Sequence, residues 1–191
     1  MKTVNTKMPE FKVVFVGDAH VGKTSIIMRY HHDVFNEDAP STIGAAFITK
    51  QIQTQHGMAS FNIWDTAGQE RYRSLVPMYS RNAFAAVIVI DLSEMSSFEG
   101  LDSWLESVKQ DVSPSCYIII AGNKCDLPNQ VPLDKIKAWA EKNGVPYLSV
   151  SAKTGQGIND LFSEIAASMP ESFFKPQEVP ALNQNRESSC C

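Results

Sequence analysis

A short apolar segment that runs into a glycine-rich loop limits the fold of this chain more than any other feature. Residues 11–16 read Phe-Lys-Val-Val-Phe-Val, residues 17–24 read Gly-Asp-Ala-His-Val-Gly-Lys-Thr, and a segment with helical spacing of apolar residues follows. This is the pattern G-x-x-x-x-G-K-[ST] between a strand and a helix. Its glycines let the loop turn so that backbone N–H groups and the helix N-terminus point at phosphate oxygens. The sequence therefore predicts a nucleoside triphosphate site after the first strand.

The rest of the chain alternates strand-length apolar segments with segments of helical periodicity. Strands are predicted at 11–16, 46–54, 60–64, 83–91, 117–121 and 146–150, and helices at 21–30, 97–108, 133–142 and 158–169. The last three strand segments are continuously apolar, which is typical of strands buried on both faces. Alternation of this kind predicts an α/β fold, with a mostly parallel six-stranded sheet and helices on both faces.

Length and charge indicate one globular domain that does not bind nucleic acid. The chain has 191 residues, of which 43% are hydrophobic and 20% charged, and its net charge is −4. Nucleic-acid binding depends on surplus Lys and Arg, which this composition lacks. We expect a flexible arm at residues 1–10, a folded domain at 11–169 and a flexible, proline-punctuated tail at 170–191. No secretory leader opens the chain, so synthesis in the cytosol is expected.

Two further features predict which nucleotide binds. Lys23 is expected to reach the β- and γ-phosphates, and the Thr24 hydroxyl to bind Mg²⁺. A second loop, Asn-Lys-Cys-Asp at 123–126, follows an apolar strand, and Ser-Ala-Lys at 151–153 follows the last strand. The Asp126 carboxylate can accept hydrogen bonds from both N–H groups on the Watson–Crick edge of guanine, whereas adenine has no such pair of donors. These loops together predict a guanine nucleotide.

Two intervening segments complete a family pattern. Thr42 lies in Pro-Ser-Thr-Ile-Gly-Ala-Ala-Phe, and residues 65–70 read Asp-Thr-Ala-Gly-Gln-Glu. With the loops above, the chain resembles the Ras superfamily of small GTPases, and within it the Rab family, over residues 11–169. The segments IGAAF and RYRSLVPMYSRNA and the final Cys-Cys look most like the early-endosomal Rab subgroup.

The resemblance implies a P-loop NTPase small G domain that acts as a switch. Such a protein binds GTP or GDP with Mg²⁺, hydrolyses GTP slowly, and in its GTP form recruits effectors to membranes for vesicle trafficking, here expected in endocytic or endosomal transport and fusion. The implied partners are an exchange factor, an activating protein, a Rab escort protein, a GDP-dissociation inhibitor and effectors. The implied location is the cytoplasmic face of early endosomes or related vesicles, with cycling of a monomer through the cytosol.

The resemblance also assigns roles around the phosphates. Thr24, Thr42 and Asp65 are expected to hold Mg²⁺, the last through water. The Gly68 N–H is expected to contact the γ-phosphate, and Gln69 to orient the attacking water as the catalytic residue. Thr42 and Gly68 release the γ-phosphate when it leaves, so two segments relax after hydrolysis. No arginine finger is evident, so a separate activating protein is expected to complete the site.

Other roles follow at the base. Phe35 and Lys124 are expected to flank the guanine ring, Asn123 to brace the loops, and the Ala152 N–H to contact the base oxygen. The full set of implied nucleotide contacts is Gly17, Ala19, His20, Val21, Gly22, Lys23, Thr24, Ser25, Phe35, Thr42, Gly68, Asn123, Lys124, Asp126, Ser151, Ala152 and Lys153.

A surface for effectors is implied by three aromatic residues and one aliphatic residue. Phe47, Trp64 and Tyr79 match the hydrophobic triad of Rab proteins, and Ile43 is placed beside them. Aromatic residues in strands usually lie in the core, so the residue type alone favours burial of Trp64. The resemblance favours exposure towards effectors instead.

Three positions depart from the family pattern. Ala19 and His20 lie where Ras-type members usually carry glycine, and Ala39 lies where many members have a tyrosine that covers the phosphates. Ala19 and His20 leave the intrinsic hydrolysis rate open, and Ala39 implies a less shielded nucleotide. Two rival functions stay open beside the GTPase. One is a binding module that has lost hydrolysis, which the presence of Gln69, Thr24 and Thr42 disfavours. The other is an ATP-dependent P-loop kinase, which does not need Asp126.

The final residues, Cys190 and Cys191, suggest lipid attachment. The last four residues read Ser-Ser-Cys-Cys, which is not a C-a-a-X box. A terminal Cys-Cys in a Rab-like chain resembles the family's double geranylgeranylation signal. The tail at 170–191 has two basic and three acidic residues, so no polybasic patch assists at an anionic membrane. Because one chain binds only reversibly, both lipids are expected to be needed.

Overall fold

The computed structural model describes residues 8–69 and 74–175. The expected arm up to residue 7 and the tail from 176 onward, with Cys190 and Cys191, lie outside these ranges. The strands are β1 Glu10–Val16, β2 Ala45–Thr54, β3 Gly57–Thr66, β4 Ala85–Asp91, β5 Tyr117–Asn123 and β6 Tyr147–Ser149. The helices are α1 Lys23–His32, α2 Val76–Ser80, α3 Met95–Glu99, α4 Leu101–Asp111, α5 Leu133–Asn143 and α6 Ile158–Ala167, followed by a 3-10 helix at Glu171–Phe174.

The strands form one six-stranded sheet in the order β2-β3-β1-β4-β5-β6. The β2–β3 hairpin is antiparallel, and the other neighbouring strands pair in parallel. Every residue of β4 is buried, as its continuous apolar sequence predicts. The predicted α/β fold with a mostly parallel six-stranded sheet is therefore confirmed.

Helices cover both faces of the sheet because alternate strand residues point to opposite sides. On one face, Val13 and Phe15 of β1 belong to a core with Phe162 of α6 and residues of α1. On the other face, Val14 and Val16 belong to a core that includes Leu101 and residues of α2, α4 and α5. These two cores hold β1 at the centre of the domain, so the loop that follows it starts from a rigid strand.

The structure differs from the sequence prediction in the helix expected at 97–108. Two helices, α3 and α4, replace it and meet at Gly100. A Cβ at Gly100 would lie 3.3 Å from Asp18 Oδ2, so the glycine permits a close approach of this turn to the phosphate loop. The helical periodicity of the sequence does not separate the two segments, because the apolar residues of both follow one continuous helical pattern.

The ordered chain extends past the domain boundary that the sequence placed at residue 169. Pro170 precedes the 3-10 helix, and the rings of Phe173 and Phe174 lie 5.3 Å and 6.0 Å from the ring of Phe11. Phe174 is half-buried and Phe173 is 58% exposed, so the segment lies on the surface of the domain with its rings against Phe11. The first residues of the predicted tail therefore contact β1.

None of the helices in the two described ranges is long and apolar enough to cross a membrane.

Candidate guanine-nucleotide site

A cavity of about 350 Å³ opens at the carboxyl edge of the sheet, where the loops after β1 and β5 meet. Ligands of parallel α/β sheets bind at this edge. Most of the predicted nucleotide contacts line it: Ala19, His20, Gly22, Lys23, Thr24, Ser25, Phe35, Thr42, Gly68, Asn123, Lys124, Asp126, Ala152 and Lys153, together with Gln69. Gly17, Val21 and Ser151 are not among the lining residues and are buried.

The loop after β1 is shaped by its glycines. Gly22 has φ 93°, and a Cβ there would lie 2.3 Å from Asn123 Nδ2. Asn123 in turn donates from Nδ2 to the carbonyl of Val21 at 2.8 Å and accepts from the Ala152 N–H at 3.1 Å through Oδ1. The predicted brace between loops is thus present in the geometry, and it needs glycine at position 22.

Replacement of Gly22 by alanine is expected to damage both stability and nucleotide binding. The matched control is Gly144→Ala, because Gly144 also has a positive φ of 63° but no atom within 4 Å of its Cβ position. The control should lose about 1 kcal/mol of unfolding free energy from backbone strain alone. Gly22→Ala should lose more, because the Asn123 amide must also move. Chemical unfolding and GDP titration of both variants would measure this, and equal losses would contradict the crowding.

The backbone of the phosphate loop holds the Lys23 side chain. Its Nζ donates to the carbonyl of Gly17 at 2.8 Å and to that of Asp18 at 2.6 Å. Burial lowers the pKa of Lys23 to about 8, although the charges of Asp65 and Asp18 act in the opposite direction. A desolvated ammonium group gains from an anion nearby, so this position favours phosphate.

The three predicted metal ligands form one hydrogen-bonded group. The Thr24 and Thr42 hydroxyls lie 2.6 Å and 3.0 Å from Asp65 Oδ2 and 2.8 Å from each other. Asp65 Oδ1 is buried without a hydrogen-bond partner among the described residues. Burial raises the pKa of Asp65, while the two hydroxyls and Lys23 lower it. An orphaned carboxylate oxygen beside two hydroxyls fits a hard cation such as Mg²⁺.

The loops that are predicted to read guanine are also held in place. Ser151 Oγ donates to Asp126 Oδ1 at 2.5 Å, which orients the carboxylate. The Lys124 ammonium pairs with Asp91 Oδ2 at 2.5 Å, and Lys124 has a positive φ of 63°. Sequence reasoning missed Asp91. Its place at the carboxyl end of β4, next to the strand that carries the Asn-Lys-Cys-Asp loop, is the signal that could have found it.

The departures from the family pattern all lie at this cavity. Ala19, His20 and Ala39 line it together with Gln69. His20 is exposed and has φ 64°, in the left-handed region that glycine adopts without strain. The backbone therefore explains why glycine suits this position.

Three of the four predicted effector residues form an aromatic row with Trp64 in the middle, and the fourth, Ile43, is exposed. Ile43 and Phe47 are 80% and 53% exposed. The ring of Trp64 lies 5.2 Å from that of Phe47 and 5.6 Å from that of Tyr79, and both Trp64 and Tyr79 are half-buried. Trp64 is therefore not fully buried, as its residue type alone would have suggested, although part of it packs against the core below the sheet surface.

The sheet order, the phosphate loop and the two base-facing loops define a P-loop nucleotide-binding domain. A family model described as the Ras family matches residues 12–171. The Ras-related protein Rab-5A of Dictyostelium discoideum is 42% identical over 170 residues, which cover 88% of this chain and 85% of that protein. The Ras-related protein RABF2b of Arabidopsis thaliana is 37% identical over 201 aligned positions, which cover 100% of both chains.

The chain therefore belongs to the Ras family of small GTPases and is of the Rab type. It is a molecular switch that binds GTP, hydrolyses it to GDP and recruits effectors to membranes in vesicle trafficking. The family resemblance deduced from the motifs is confirmed.

Proposed function

We propose that this chain is a Mg²⁺-dependent Rab switch of early endosomal membranes, with the residue roles that its motifs imply. The observation that carries the residue roles is the meeting of two groups at one cavity. One group is Thr24, Thr42 and Asp65, and the other is Asp126 with Ser151. The first suits a metal and phosphates, and the second suits the N–H edge of guanine. The Rab-5A relative supports the endosomal assignment.

The chain's own residues divide the work of the switch. Lys23 neutralises phosphate charge, Gln69 orients the attacking water, and the Gly68 N–H and Thr42 sense the γ-phosphate. Mg²⁺, when bound, neutralises charge on the phosphate oxygens as a Lewis acid. Loss of the γ-phosphate frees the segments that contain Thr42 and Gly68, and these segments adjoin the surface of Ile43, Phe47, Trp64 and Tyr79. Effectors are thereby expected to distinguish the GTP form.

Two measurements test this assignment against its rivals. Competition of GTP, ATP and xanthosine triphosphate for a fluorescent GDP analogue should show a strong preference for GTP. An ATP preference would instead support a kinase. Single-turnover release of phosphate should be slow but complete, whereas a module that has lost hydrolysis would retain GTP throughout.

The variant Thr24→Asn is expected to favour GDP or the nucleotide-free state. The longer amide side chain displaces the hydroxyl that lies 2.6 Å from Asp65 and 2.8 Å from Thr42. The release rate of labelled GDP with and without EDTA measures the effect. In the wild type, EDTA should speed release strongly, and in the variant release should be fast with or without EDTA. If EDTA speeds release equally in both proteins, Thr24 is not a metal ligand.

Membrane attachment is expected to need both terminal cysteines. Cys190→Ser and Cys191→Ser should each move the protein towards the cytosol or a different membrane, because stable anchoring takes two lipid chains. Cys116→Ser is the control, since Cys116 is half-buried within the domain. Fractionation and imaging of tagged forms in a native cell would show the distribution, with GDP binding unchanged in all three. A single mutant that stays on endosomes like the wild type would overturn the two-lipid proposal.

The working partners follow from the family. An exchange factor, an activating protein, a Rab escort protein, a GDP-dissociation inhibitor and effectors are the expected classes. The exposed Ile43 and Phe47 are the residues whose alanine variants should weaken effector capture without changing GDP affinity.

A further inference from the structure

One arginine outside the nucleotide motifs joins two loops that respond to different parts of the nucleotide. Arg29 lies near the end of α1, and its side chain is 18% exposed. Its Nε donates to the carbonyl of Ala152 at 2.9 Å, and its Nη2 donates to the carbonyl of Lys153 at 2.8 Å. Both acceptors belong to the loop whose Ala152 N–H is assigned to the base oxygen.

The remaining nitrogen of the same guanidinium faces the opposite way. Nη1 donates at 3.0 Å both to the backbone carbonyl and to Oδ1 of Asp33. Asp33 follows α1 and has a positive φ of 54°, and the residues from there to β2 form no helix or strand. This connecting segment carries Phe35 and Thr42. Arg29 therefore holds the root of the segment that senses the γ-phosphate.

The acceptors of these hydrogen bonds show which parts of the chain Arg29 restrains. Three of its four hydrogen bonds go to backbone carbonyls, so it restrains the path of the chain rather than one side chain. The guanidinium fork presents donors in fixed directions within one plane, and a lysine ammonium group cannot reproduce that arrangement. The same two segments are also connected by the Lys153–Glu37 ion pair at 3.7 Å. Both side chains are exposed, so this pair contributes little to stability. Arg29 is the stronger link.

We propose that Arg29 is a positioning residue for the guanine nucleotide. By holding the loop at 151–153 against the root of the segment at 33–44, it keeps the backbone of Ala152, whose N–H donates to Asn123 Oδ1 at 3.1 Å, in place at the base end of the cavity and slows the opening that releases GDP. The inference rests on the proposed guanine site, whose carboxylate reader, Asp126, lies in a different loop.

The test compares Arg29→Lys with Arg81→Lys as a matched control, because Arg81 is exposed. Stopped-flow release of labelled GDP should be about tenfold faster in Arg29→Lys and unchanged in the control, as expected for the loss of one or two net hydrogen bonds. The variant should also discriminate less between GDP and 6-thio-GDP, which differ only at the base oxygen. Discrimination between GDP and IDP, which reports on the carboxylate of Asp126, should be preserved.

A second variant keeps the proposal testable if Arg29→Lys does not fold. Asp33→Ala removes one of the four acceptors and leaves both contacts to the loop at 151–153. It should speed release about two- to threefold without changing the discrimination between GDP and 6-thio-GDP, in line with the loss of a single exposed contact.

The possible results distinguish a failure of the role proposed for Arg29 from a failure of the assigned guanine site. A lower melting temperature of Arg29→Lys with wild-type GDP release and wild-type discrimination of 6-thio-GDP would mean that Arg29 only stabilises the fold, and the inference would be overturned. An unchanged release rate in Asp33→Ala would overturn the link to the segment at 33–44. If the wild type does not distinguish GDP from IDP, the assigned guanine site is wrong, whatever Arg29 does.

Discussion

Gln69→Leu is expected to bind GTP normally but to lose nearly all hydrolysis stimulated by an activating protein. Leucine fills a similar volume and cannot hydrogen-bond the attacking water, while Gly68 and Thr42 remain to hold the γ-phosphate. In Ras proteins, activators raise the rate by about 10⁵, which corresponds to ~7 kcal/mol of barrier. Most of this gain should disappear in the variant, and the GTP form should persist. Phosphate release under single-turnover conditions measures it.

The control for Gln69→Leu is a polar residue of the same type away from the cavity. Gln51→Leu changes an exposed position on β2 and should leave phosphate release unchanged. Stimulated turnover of Gln69→Leu at the wild-type rate, with an activator shown to work on the wild type, would remove Gln69 from the catalytic role.

Asp126→Asn is expected to weaken GTP binding sharply and to favour xanthosine triphosphate. The amide presents a donor where guanine also has a donor, whereas xanthine has a carbonyl oxygen there. The loss of a charge-assisted hydrogen bond costs about 1.5–3 kcal/mol, or roughly ten- to a hundredfold in affinity. Ser151 Oγ donates to this carboxylate at 2.5 Å, so the side chain stays oriented after substitution. Filter-binding titration with both nucleotides measures the switch in preference.

Asp134→Asn is the matched control for the base, because Asp134 is exposed in the first turn of α5. Both GTP affinity and nucleotide preference should match the wild type in this control. Unchanged GTP affinity in Asp126→Asn would refute the assignment of Asp126 as the carboxylate that reads guanine.

Residues that are close together in the sequence determine the phosphate loop, the buried strands and the guanine motif of this protein. The loop at 17–24 needs glycine where the backbone turns, and its Lys and Thr follow at fixed positions. The phosphate site can therefore be recognised from the sequence. The apolar runs of β4 and β5 likewise predict buried parallel strands, because only strands covered on both faces have no polar alternation. The Asn-Lys-Cys-Asp motif at 123–126 likewise predicts guanine, because its residues follow one another at fixed positions at the end of β5.

The helix boundaries show where local pattern stops being sufficient. Periodicity predicted one helix over 97–108, but α3 ends at Glu99 and α4 begins at Leu101, with Gly100 close to Asp18 of the phosphate loop. The rings of Phe173 and Phe174 lie near the ring of Phe11 of β1. In both cases the neighbouring residue is far away in the chain, and no window of sequence contains it.

The sequence by itself determined the α/β class, the phosphate and guanine motifs and the family, since each depends on residue type at short spacing. Only the tertiary structure brought Asp65 to Thr24 across 41 positions and left one of its carboxylate oxygens without a partner among the residues at 8–69 and 74–175. Only the tertiary structure placed Arg29 between Asp33 and a loop more than 120 positions away. Such contacts depend on the positions of β1, β3 and β5 in one sheet and on the packing of α1 against it. No single segment of the sequence determines these positions.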